Sequence, residues 1–358
     1  MSARRGVSAA SPGRLPYGHV NEPVHFPGVR GHEAALSALS RAIVRGQLHH
    51  GLLLSGPPGV GKATVARGLA CALHCAVAPG VGCGACVTCR RIFEDHHAGV
   101  EWIRPEGPGG MVKVDVAREL GIRLQHAPFE GDHHVVVFDP ADALNESSFN
   151  ALLKSLEEPR PGVHFVLLVT HTDNVLPTIR SRCLPVRLGP LPRPTVAEIV
   201  DDVLRSAEAP PSEARRALAV RLSAGSPGRA LQLCGDEDLD VAMALTAAAI
   251  DAAERGTSGV FSGDDSPLWQ AWASATGGSG TGKAARERAA CGRMADLWLL
   301  HLRERVGGGD GLPGLPHPSL PPARLVRQID RLLTFSEGLL RNPNARLSLE
   351  QTLLDLSA

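Results

Sequence analysis

Four cysteines, Cys75, Cys83, Cys86 and Cys89, follow a glycine-rich stretch, Gly56-Pro57-Pro58-Gly59-Val60-Gly61-Lys62, within one helix length. The close spacing of Cys83, Cys86 and Cys89 suits tetrahedral thiolate ligation of zinc, with Cys75 closing the set across a short loop. Four thiolates leave no open position for water, so such a Zn2+ is structural rather than catalytic. The glycines let backbone N–H groups turn inward around an anion, and Lys62 is placed to pair with nucleotide phosphates. The residue after that lysine should carry a hydroxyl for Mg2+. It is Ala63, and Thr64 stands one helical step of about 100° away, which prevents simple substitution. Two readings stay open: a cradle for ATP or ADP with an impaired metal site, or a loop shape kept for folding alone.

Two more residues could do chemistry. Val135-Val136-Val137-Phe138-Asp139 is an apolar run ending in an acid, the pattern of a central parallel strand with a carboxylate at its C-terminal edge. A general base is expected just after Asp139, but Pro140 has no carboxylate, and losing such a base typically costs about 10²–10⁴ in rate. Arg182, in Ser181-Arg182-Cys183, sits where an arginine finger can reach a neighbour's nucleotide; taken alone, a surface salt bridge is the better reading. His74, His96 and His97 read as surface residues, and His133-His134 as a solvated turn. Cys71, Cys183, Cys234 and Cys291 read as ordinary packing residues.

The elements that must position these groups follow from periodicity. Leu52–Leu54 is a short buried strand entering the glycine-rich loop, and the helix expected over 64–74 gives the strand–loop–helix order that a phosphate loop requires. Apolar spacing at Leu36, Leu39 and Ile43 predicts a helix over 34–45. A strand edge and then a helix are expected within 112–125, a helix over 149–158, and another buried strand over 164–170. Strands alternating with helices imply a doubly wound α/β domain. Pro190–Pro194 marks a boundary, after which helices dominate, interrupted by a Gly/Ser-rich stretch at 274–282 and a Gly/Pro-rich one at 307–322.

The chain has 358 residues, 43% of them hydrophobic, enough for several cores. Lys+Arg and Asp+Glu balance at 37 each, which argues against a basic protein that wraps nucleic acid alone. The single Tyr and eight Phe leave few platforms for base stacking. No apolar leader follows Met1 and no long apolar run occurs, so a cytoplasmic location and no membrane contact are expected. Reduced thiols there favour metal over disulfides.

These motifs carry a resemblance. Gly46-Gln47-Leu48-His49-His50-Gly51, the phosphate loop, the four cysteines, Ser148–Pro159 and Thr178–Cys183 together resemble the bacterial DNA polymerase III clamp-loader AAA+ subunits, over roughly residues 25–235. Of two branches, the ATP-hydrolysing gamma/tau type and the delta-prime type, Ala63 and Pro140 favour delta-prime. So does the final Asn342–Glu350 stretch, which looks like the last collar helix of delta-prime proteins. The resemblance implies an α/β AAA+ (P-loop NTPase-like) module with an embedded zinc knuckle, followed by an all-α lid and an all-α collar. The expected divisions are a loose leader at 1–25, the AAA+ domain at 26–190 with its knuckle at 75–89, the lid at 191–237 and the collar at 238–358. It implies a degenerate nucleotide site of Gly56, Gly59, Gly61, Lys62, Thr64 and Asp139. Thr170 matches sensor 1, and Arg229, in Gly225–Leu231, matches sensor 2. It also implies Arg182 as a finger acting in trans. The implied partners are gamma/tau and delta subunits, and, through the complex, the sliding clamp and primed DNA. The alternatives are a hydrolysing gamma/tau-type subunit and a zinc-dependent nucleic-acid-binding module with a vestigial ATPase fold.

Overall fold

The computed structural model describes residues 25–105, 114–124, 130–144, 146–277, 282–317, 319–339 and 344–357. The expected leader, apart from its last residue, lies outside them. Among the described residues no helix is long and apolar enough to cross a membrane.

Five strands form one parallel sheet: β1 (Gly51–Ser55), β2 (Val100–Ile103), β3 (His134–Phe138), β4 (Val163–Val169) and β5 (Leu184–Arg187), in the order β2-β3-β4-β1-β5. The three central strands are fully buried, as continuous apolar runs require when both faces are covered. The two edge strands went unread in the sequence. β2 is short and interleaves Glu101 and Trp102 with Val100 and Ile103, and β5 carries Pro185, which a sheet tolerates at an edge. The expected helix after β1 spans Lys62–His74 and that before β4 spans Glu146–Glu157. Within 112–125 the described helix is Val114–Arg123.

The chain leaves β1 toward the β2 edge and leaves β4 toward β5 on the other side of β1. The ends of β1 and β4, where Ser55 pairs with Val169, are therefore the divergence point at which α/β sheets place ligand sites. Phe138, Phe149, Leu152, Leu156, Phe165 and Ile179 fill the core on one side of this sheet.

By contacts the chain divides into two compact units. One takes the chain up to Ser55 together with Lys62–Leu188, and the other takes Gly56–Gly61 together with Gly189–Ala358. The second unit is helical and holds two apolar clusters. Leu191, Val196, Val200, Val220 and Ala230 form the smaller. The larger gathers the helices Glu237–Arg255, Pro267–Thr276, Lys283–Val306, Pro322–Leu339 and Ala345–Ser357 around Leu245, Trp298, Leu332 and Leu349. The 274–282 stretch differs from its reading as a loop: the Pro267–Thr276 helix runs into it, and residues 278–281 lie outside the description.

Candidate functional site: a phosphate loop, a carboxylate relay and a thiolate cluster

In the sheet unit, Lys62 opens its helix and Asp139 follows β3, as the sequence predicts. Burial lowers the Lys62 pKa, while the Asp142 and Asp139 carboxylates oppose that shift. Asp142 was missed by sequence reasoning. It lies in the turn Ala141–Ala143, where one carboxylate oxygen accepts from the Thr170 amide at 2.9 Å and the other from Asn174 Nδ2 at 3.0 Å. Thr170 is thus held at the end of β4 by its backbone. A second acid three residues after Asp139 was the available signal. Pro140 occupies the general-base position and supplies no carboxylate. Thr64 lies with its methyl beside Gly28, 3.6 Å from where a Cβ on that glycine would stand.

Gly56, Gly59 and Gly61 belong by contact to the second unit, with Arg229. The loop meets the N-terminus of the helix Pro227–Cys234 there. Gly228 N–H donates to Gly59 O at 2.9 Å, and Ser226 Oγ donates to Pro58 O at 2.7 Å while accepting from Arg229 N–H at 3.2 Å. The first amides of a helix have no partner within it. Here Gly228 spends one of them on the phosphate loop's own carbonyl. Neither glycine tolerates a side chain: a Cβ on Gly228 would fall 2.8 Å from Gly59 Cα, and one on Gly59 would fall 2.7 Å from Ser226 Oγ. The Arg229 side chain itself is exposed.

Arg182 folds onto its own unit, with Nη2 2.7 Å from Glu157 Oε1 and Nη1 donating to Thr178 O at 2.9 Å. The segment is anchored by the neighbouring Cys183, whose buried sulfur would lie 3.0 Å from a Cβ on Gly51. Burial pushes that thiol up to about 11, as expected of a packing cysteine.

The four predicted ligands converge. Cys75 ends the Lys62–His74 helix, Cys86 caps the helix Val87–Phe93 and Cys89 lies within it. The sulfurs of Cys75 and Cys86 are 3.9 Å apart, those of Cys83 and Cys89 4.0 Å, and all four lie within 4.8 Å of one another. A tetrahedron with Zn–S of about 2.3 Å has edges of about 3.8 Å, so the set fits a zinc ion. Backbone N–H groups of Ala78, Cys83, Cys86 and Cys89 point at the sulfurs of Cys75, Cys75, Cys83 and Cys86, at 3.3–3.4 Å, which favours thiolates. Amides of Ala85 and Cys86 draw the Cys83 thiol down to about 6, whereas burial raises that of Cys89.

The histidine readings need correction. His97 and His134 are 4% and 9% exposed, not surface or turn residues. His134 opens β3 and His97 lies in the loop before β2, at the N-terminal end of the sheet, where His164 Nε2 lies 3.3 Å from His133 Nδ1 and His74 packs 4.6 Å from His97. His96 does lie on the surface. Burial, then neighbouring His133, holds His164 at about 4.

Residues 31–192 match a family model described as DNA polymerase III, delta subunit. That part of the chain is similar to DNA polymerase III subunits. Over 212 residues, 59% of the chain, it is 35% identical to DNA polymerase III subunit tau of Escherichia coli, of which it covers 32%. It is 32% identical over 184 residues to subunit gamma of Buchnera aphidicola from Schizaphis graminum, covering 51% of this chain and 50% of that one. The chain thus spans between a third and a half of the length of these curated relatives. Among solved structures, a gamma subunit-related protein from Thermotoga maritima is similar at TM-score 0.42 and 16% identity, over 90% of this chain and 98% of that one.

Proposed function

We propose that the chain is a subunit of a DNA polymerase III clamp loader in the delta-prime role. In this reading it hydrolyses no ATP itself and offers Arg182 to ATP on a neighbouring gamma/tau subunit. Residues 26–190 form the AAA+ domain, 191–237 the lid and 238–358 the collar that joins it to gamma/tau and delta. The assembly acts on the sliding clamp at primed DNA in the cytoplasm. The Cys75, Cys83, Cys86 and Cys89 set holds a structural Zn2+.

The observation that carries the non-hydrolysing role is the state of the acid cluster. Asp139 is followed by Pro140 rather than a base, Lys62 by Ala63 rather than a hydroxyl, and Asp142 is committed to Thr170 and Asn174. Of the groups that orient water and metal in phosphoryl transfer, two are missing by residue type.

The second reading, an ATP-hydrolysing gamma/tau-type subunit, is favoured by the relatives, since both curated proteins above carry gamma or tau names. ATP turnover by the purified chain with primed DNA separates the two. No turnover is expected; Mg2+-dependent hydrolysis abolished by Lys62→Ala establishes the gamma/tau reading instead. In a reconstituted loader, Arg182→Ala is expected to leave assembly intact and to depress DNA-stimulated ATPase. Fingers are worth about 10³–10⁵ at the site they serve. Unchanged turnover removes Arg182 from the mechanism.

A further inference from the structure

The helical unit has a partly open cleft of about 200 Å³ between the helices Glu237–Arg255, Lys283–Val306, Pro322–Leu339 and Ala345–Ser357. At about 30 Å³ per water, that space equals six or seven water molecules, whereas packed interiors leave few voids larger than one. Its wall has two characters. Ile250, Trp298, Leu302 and Leu356 give it apolar lining. His301, Arg305 and Arg324 add polar groups.

The polar groups offer donors. His301 is 1% exposed, and the Leu312 amide donates to its Nδ1 at 3.0 Å. That bond makes Nδ1 the acceptor and puts the proton of the neutral ring on Nε2. Burial holds the ring neutral, at about 4. The buried Nε2 has no hydrogen-bond partner among the described residues; the Pro316 carbonyl attracts the ring proton without closing a bond of proper geometry. Arg324 is oriented by its Nη2, which donates to Ser357 O at 2.8 Å, and its Nε is likewise buried without a partner. Arg305 adds a second guanidinium, and Glu254, the acid of the lining, is exposed. Buried donors call for an acceptor, and guanidinium groups match a carboxylate in geometry and charge.

We propose that this cleft is a binding site for a small carboxylate with a compact apolar body, its oxygens on Arg324, Arg305 and His301 and its hydrocarbon against Trp298 and Leu302. The volume lies below the roughly 300–1,000 Å³ of drug-sized pockets, which restricts the ligand to the size of a medium-chain or aromatic acid. The apolar lining disfavours bare phosphate, and the guanidinium pair disfavours amines. None of this depends on the clamp-loader reading.

The test is calorimetric titration of the full chain with octanoate and phenylacetate, beside octanol, octylamine and inorganic phosphate, while the tryptophan fluorescence, to which Trp298 contributes, is followed. One saturable site is expected for a carboxylate, at least tenfold tighter than for octanol or phosphate and absent for octylamine. Arg324→Gln is expected to weaken it at least tenfold with the helical circular dichroism unchanged. Should that variant misfold, Arg305→Gln must weaken it likewise. Equal affinity for octanol, equal affinity for phosphate, no saturable binding, or variants that bind as the parent does would each overturn the proposal.

Discussion

Gly228→Ala separates two opposing physical effects by sign. Glycine within a helix costs about 0.5–1 kcal/mol relative to alanine, so propensity alone predicts stabilisation. Gly228 has no left-handed φ that would strain an alanine. The added Cβ, however, would stand 2.8 Å from Gly59 Cα and 3.1 Å from Gly59 O. Carbon atoms pack at about 3.5–4.0 Å, so the loop and helix must separate by nearly an ångström. Overpacking of this kind costs about 1–3 kcal/mol. The movement also strains the 2.9 Å bond from Gly228 to Gly59 and the 2.7 Å bond from Ser226 to Pro58, each worth about 0.5–1.5 kcal/mol. The clash exceeds the propensity gain, leaving a net loss of about 1–3 kcal/mol in this contact. Hydrogen exchange on the intact chain reads it directly: protection of the amide at position 228 is expected to fall about 5- to 140-fold, since 1.4 kcal/mol is a factor of ten. Unchanged or increased protection, with a raised melting temperature, would refute the idea that the phosphate loop is latched to this helix by glycine-on-glycine contact.

Chain purified with thiols reduced should carry one zinc ion by elemental analysis. Cys83→Ser should lose it and lower the melting temperature, since structural zinc contributes folding free energy outright; a metal-free chain of equal stability would exclude a zinc site. Glu157→Gln removes the partner of Arg182. The pair is half-exposed and worth about 0–1 kcal/mol, so the loader's ATPase should rise by at most about fivefold; a fall would mean that Glu157 positions the finger rather than restrains it. His164 ionises near 4 folded against an ordinary value of 6.5, so the unfolded chain binds more protons between those limits. Its contribution is therefore full above pH 6.5 and is lost as pH falls toward 4. The loss is about 3 kcal/mol. His164→Leu should flatten urea midpoints across that window, and an unchanged slope would place the acid sensitivity elsewhere.

The thiolate cluster was legible because its ligands sit close along the chain, where spacing nearly dictates geometry. The same holds for β1, β3 and β4, whose unbroken apolar runs leave few alternatives to burial, and for Ala63 and Pro140, where the missing atom is a matter of residue type alone. Other features depend on partners far apart in sequence. Gly59 meets Gly228 and Asp142 meets Thr170 only when the chain is folded; no local pattern distinguishes the glycines from ordinary turn glycines, and the acid's nearness to Asp139 does not name its partners. Arg182 is the clearest case: its place just beyond β4 follows from the motif, but its ion pair with Glu157 follows from how the two segments pack. The histidines misled for the same reason, since a polar ring before a strand is solvated unless other strand ends close over it. Sequence set which groups exist and which are absent; long-range packing decided which of them touch, because contact depends on the path of the whole chain.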